Sequence, residues 1–134
     1  MARKRALTLI VARPGPLRDG IEALLASVPE VEVLGEVHQP SRALSLAAQH
    51  SLDLLLLEAG PAGGKNWRVL SRLQGQHPGL RSIVLADDIE QVRQARAAGA
   101  DAVFLKGFPP HRFVRTVERL VSRDETRKPE SAHT

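Results

Sequence analysis

Few residues in this 134-residue chain carry chemistry in a pattern that narrows it. Cysteine is absent, which removes thiolate nucleophiles, disulfides and sulfur-ligated metal sites. The histidines His38, His50, His77, His111 and His133 show no i, i+3 or i+4 pairing, so they offer no metal-binding pair on a helix. Gly60 to Lys65 approaches a phosphate-binding loop, but the pattern G-x-x-x-x-G-K-[ST] requires glycine where Ala59 stands and Ser or Thr where Asn66 stands. What remains is single charges near the ends of apolar runs, at Arg13, Glu58 and Lys106, and one acidic pair, Asp87-Asp88. Asp87 and Asp88 open a helical segment, where carboxylates cap and complement the dipole.

The apolar runs that must position these charges alternate with helical stripes. Ala6-Leu7-Thr8-Leu9-Ile10-Val11 is short and nearly continuous, as in a strand covered on both faces, and the breaker Arg13-Pro14-Gly15-Pro16 ends it. Leu17, Ile21, Leu24 and Leu25 then recur at helical spacing, with Pro16 in a first turn that tolerates it. Residues 31–37 read as a strand and 40–50 as a helix with Ala43, Leu44, Leu46 and Ala47 on its apolar side. The run at 52–57, closed by Glu58 and a glycine-rich loop, reads as a central strand from its length and flanks. Trp67, Val69, Leu70 and Leu73 mark the next helix, with Trp67 read as core or edge packing. Strands at 81–86 and 101–105 and helices near 88–98 and 110–122 complete five strand–helix pairs. In the last helix Phe113, Val114, Val117, Leu120 and Val121 make one buried stripe.

Five such units with short connections predict an α/β fold, a flavodoxin-like doubly wound (βα)5 sandwich with a five-stranded parallel sheet, since parallel strands need right-handed crossovers. Ligand chemistry in such a sheet belongs at the C-terminal ends of the strands, at 12–15, 58–64, 86–88 and 106–110. One domain at 6–122 is expected, between a basic N-terminal arm at 1–5 and a polar C-terminal tail at 123–134. The arm holds three bases and no acid, and the tail three of each, which leaves thirteen bases against twelve acids in the body. The net charge of +4 therefore makes no nucleic-acid surface of the body, and the arm reads as a solvated leader. No window approaches the run of about 18 apolar residues of a membrane span, and no signal peptide is visible, so a cytoplasmic location is expected.

Local stretches in the right order resemble the receiver domain of response regulators, in the branch that precedes a LuxR-type DNA-binding domain. They are Leu17-Arg18-Asp19-Gly20-Ile21, Val31-Glu32-Val33-Leu34-Gly35-Glu36, His77-Pro78-Gly79-Leu80-Arg81, and Ala97-Ala98-Gly99-Ala100-Asp101 followed by Phe104-Leu105-Lys106. The resemblance spans residue 7 to about 122 and implies strand order 2-1-3-4-5. In that family two acidic residues after the first strand and an aspartate after the third hold magnesium. The aspartate takes the phosphoryl group, a Ser or Thr after the fourth strand reads it, and a lysine after the fifth pairs with it.

Carried over residue by residue, the acidic pair falls on Ala12 and Arg13, the phosphoacceptor on Glu58, the Ser/Thr on Ala86 and the lysine on Lys106. Only the lysine matches, and Gly107 follows it where the family often has a cis-proline. The loop after Glu58 also lacks the family's Met-Pro pair. These departures imply a pseudo-receiver that binds no metal or other cofactor, is not an enzyme, and regulates transcription or signalling by docking on protein partners. A second copy of itself is one candidate partner. The family's pairing faces place Val92, Val103, Phe113 and Val114 on the elements concerned. DNA is reached indirectly or through an effector domain, the chain either acting alone or being cut from a longer regulator. Two readings of Glu58, Arg13 and Lys106 stay open: Glu58 imitates a phosphorylated aspartate, or the trio is an ion cluster that satisfies the old pocket. Residual phosphoryl chemistry, capture of a small anion, and DNA contact through the basic arm are the alternatives.

Overall fold

The computed structural model describes residues 5–60 and 65–122. Five strands, β1 (Ala6–Val11), β2 (Val31–Val37), β3 (Leu54–Glu58), β4 (Arg81–Ala86) and β5 (Ala102–Leu105), alternate with five helices. The helices are α1 (Pro16–Ala26), α2 (Pro40–Gln49), α3 (Lys65–Gln76), α4 (Ile89–Ala97) and α5 (Pro110–Ser122). The strands form one parallel sheet in the order β2-β1-β3-β4-β5, the flavodoxin-like arrangement that the alternation of elements and the family resemblance imply.

The two-fold period of a strand divides the core between the sheet's faces. Leu55 and Leu57 of β3 join Leu9, Val11 and Val84 beneath α2, α3 and α4, whereas Leu54 and Leu56 join Ile10, Ile83 and Leu85 beneath α1 and α5. A leucine run with no polar alternation is therefore what a strand buried on both sides requires.

Two strands begin one or two residues later than the apolar pattern implies. Asp53 spends its carboxylate on the N–H of Leu7 (2.8 Å), and Asp101 spends its own on the N–H of Ser82 (2.8 Å). Each aspartate acts as a clasp between neighbouring strands at the sheet's N-terminal edge. The N-terminal boundary also shifts: the Arg5 guanidinium donates to the carbonyls of Pro29 (3.3 Å) and Val31 (2.9 Å), so Arg5 belongs to the folded body. The rest of the expected arm (1–4) and the tail (123–134) lie outside the described residues.

All three phenylalanines of the chain meet at the β5–α5 junction. Phe104, Phe108 and Phe113 have ring centroids 5.2–5.8 Å apart. Phe113 is fully buried there. It cannot meet a partner, and it leaves the candidate interface as a residue that fixes the turn carrying Lys106.

Candidate functional site

Parallel register brings the ends of β1, β3, β4 and β5 to one edge. Val11 is level with Leu57, Glu58 with Leu85, and Ala86 with Leu105. The ladder runs past the strands through Ala12 N to Val37 O (2.9 Å), Ala59 N to Leu85 O (2.8 Å) and Lys106 N to Ala86 O (2.9 Å). Side chains at 13, 58, 87 and 106 are thus held over the same edge.

Glu58 is only 7% exposed, yet it is charged because three donors converge on it. Its Oε1 accepts the backbone N–H of Arg13 (2.9 Å), and its Oε2 accepts Arg13 Nη2 (3.2 Å) and Lys106 Nζ (2.8 Å). Burial pushes the carboxyl pKa up, but the hydrogen bonds from Arg13 and Lys106 outweigh it and bring it down to about 2. Burial pulls Lys106 down, and its bonds to Asp87 and Glu58 more than reverse this, so the ammonium holds its proton above the ordinary lysine range. The carboxylate of Glu58 raises Arg13 in the same sense.

Asp87 is the site residue that sequence reasoning missed. Its Oδ1 lies 2.7 Å from Lys106 Nζ, whereas Asp88 alone caps α4, accepting from Gln91 N at 2.8 Å. Capping describes one member of the acidic pair; the other ends a Glu58–Lys106–Asp87 chain. Asn66, noted only for not fitting a phosphate loop, donates from Nδ2 to the Glu58 carbonyl (3.0 Å) and ties the start of α3 to the strand end. Arg18 donates to the carbonyl of Ala12 (3.2 Å) and pairs with Glu36 (3.3 Å).

No family model matches the chain. Among curated proteins it is 25% identical over 125 residues to the nitrate/nitrite response regulator NarL of Escherichia coli K12, covering 91% of this chain and 58% of NarL. A LuxR-family DNA-binding response regulator from Silicibacter pomeroyi superimposes with a TM-score of 0.71 at 26% identity, covering 87% of this chain and 92% of that one. In fold this chain is a response-regulator receiver domain, and in sequence it is similar to LuxR-type regulators. At the level of fold, a CheY-like receiver domain from Methanospirillum hungatei (TM-score 0.79, 18% identity) covers 92% of this chain and 99% of its own. The receiver domain of a Mycobacterium tuberculosis NarL (TM-score 0.77, 22% identity) covers 90% and 98%. The chain spans 58% of the length of the curated relatives it matches.

The magnesium ion that receivers employ does not fit this donor set. Ala12 is buried among apolar side chains and offers no ligand atom, Arg13 contributes a fixed cation and no ligand oxygen from its side chain, and both oxygens of Glu58 are already bonded to cations or N–H. Among the described residues no group of three His, Asp or Glu could hold a metal. Ala86, fully buried, presents no hydroxyl at the end of β4.

On the α4–β5–α5 side, Val92, Val103 and Val114 are half-buried. The large apolar side chains that stand out instead are Ile89 (62% exposed) and Leu105 (41%). The sequence conceals both, since Ile89 reads as the first apolar residue of a helix and Leu105 as the last of a buried strand. His111 is exposed at the start of α5. Trp67 is half-buried between α3 and α4. No helix among the described residues is long and apolar enough to cross a membrane.

Proposed function

We propose that this receiver domain works without accepting a phosphoryl group, as a docking module in a response-regulator pathway. The Glu58 carboxylate carries this reading: it is held by Arg13 and Lys106 where an incoming phosphoryl group and its metal need free oxygens. Lys106, the residue that in the family pairs with the phosphoryl group, is occupied twice over, by Glu58 at 2.8 Å and Asp87 at 2.7 Å.

Of the two readings of the trio, the ion cluster is the better supported. A phosphate mimic passes its state on through a hydroxyl after β4, and Ala86 has none. The cluster instead fixes one arrangement of the strand ends and hence one presentation of α4, β5 and α5. Output then depends on which protein meets that face, with Ile89 and Leu105 as its apolar anchors beside Val92, Val103 and Val114. A second copy of the chain is one occupant this surface fits. DNA enters this reading only through a partner or an effector domain, as the LuxR-family relatives suggest.

Intact mass after incubation with acetyl phosphate and magnesium tests the proposal. The expected result is an unchanged mass; a magnesium-dependent gain of one phosphoryl group would overturn it.

A further inference from the structure

We propose that the outer face of α3 is a second docking surface, which takes an acidic peptide segment of a partner protein. It lies across the sheet from α1 and α5, and it stands whether or not the Glu58 pocket accepts a phosphoryl group.

Trp67, Arg68, Ser71 and Arg72 fall on one side of α3 and line a shallow groove of about 530 Å³. The sequence of α3, Lys-Asn-Trp-Arg-Val-Leu-Ser-Arg-Leu-Gln-Gly-Gln, contains three bases and no acid. Arg68 and Arg72 are exposed at i, i+4, a spacing at which like charges oppose the helix. Neither side chain has an ion-pair or hydrogen-bond partner among the described residues, a state they share with Arg42, Arg96, Arg112, Arg115 and Arg119, whereas Arg13, Arg18, Arg81 and Arg93 each face a carboxylate.

Trp67 is set between the two roles of packing and presentation. One side of it packs on the core beneath α3, and its indole N–H donates to Gln94 Oε1 on α4 at 2.9 Å, which fixes the ring's orientation. Ser71 reaches the Ala98 carbonyl (3.4 Å), closing the α4 side of the groove. A pre-oriented indole flanked by two unpaired guanidiniums is the composition of a binding hot spot. Guanidinium forks match carboxylates bidentately, and the indole takes an apolar side chain between them.

An acidic segment suits this surface better than a nucleic acid does. The folded body is close to neutral, so no broad positive field follows a phosphate backbone, and the cations are confined to a short stretch beside an apolar ring.

Trp67 is the chain's single tryptophan, so its emission reports on this face alone. The full chain is titrated with a short synthetic peptide of alternating glutamate and leucine. A lysine–leucine peptide and a single-stranded oligonucleotide of matched charge serve as counter-probes. The expected result is a saturable change in Trp67 emission with the acidic peptide, and weakening of at least about tenfold in both R68E/R72E and the milder R68Q/R72Q. Circular dichroism shows which of the two variants is folded. No saturable change, an affinity that survives loss of both arginines, or an oligonucleotide that binds more tightly through the same residues would overturn the proposal.

Discussion

Glu58 keeps its charge against burial only because Arg13 and Lys106 surround it. The E58Q variant leaves an isosteric amide facing two cations, and Lys106 then depends on Asp87 alone. A loss of about 1–3 kcal/mol is expected, read by denaturant unfolding at neutral pH. The trio was legible through the family resemblance, which sets Arg13, Glu58 and Lys106 at neighbouring strand ends. Asp87 was not, because an Asp-Asp pair before a helix carries the signature of a cap, and only the fold shows that one carboxylate caps while the other turns to Lys106. Asn66 was hidden for a similar reason: its bond to the Glu58 carbonyl is a side-chain-to-backbone contact across a loop, which no spacing rule records.

At the scale of elements, the strand–helix alternation was readable because β1, β3 and β4 are buried on both faces and the helices each bury one stripe. Edges were less so. Asp53 and Asp101 fall within the strand runs that the sequence implies, yet they act as clasps. The turn that aims Lys106 rests on Gly107, whose φ of +93° is strained for any L side chain, and on the stacked rings of Phe108 and Phe113. G107A is expected to cost about 1–2 kcal/mol and to shift the Lys106 and Glu58 resonances together. The α4–β5 surface makes the opposite prediction. I89D/L105D should leave stability within about 0.5 kcal/mol, since both side chains are exposed, yet abolish association with a partner or with itself. Pull-down with the cognate partner, or sedimentation for self-association, checks this. Retained binding would remove that face from the account.

For the whole molecule, the low pKa of Glu58 links stability to pH. A carboxyl at about 2 in the folded state, against an ordinary value of 4.5, adds stability that is complete above pH 4.5 and is lost as pH falls through the folded value. The shift corresponds to about 3 kcal/mol, an upper figure because Arg13 is largely solvated. Unfolding followed from pH 5 down to about 2 should therefore show an acid limb that is shallower in E58Q. If the strand-end pocket is closed by its own ions, titration with beryllofluoride and magnesium leaves the amide NMR shifts of Arg13, Glu58, Asp87 and Lys106 without a saturable change. A magnesium-dependent shift centred on Glu58 and Lys106 would instead show a pocket that still reads a phosphoryl group.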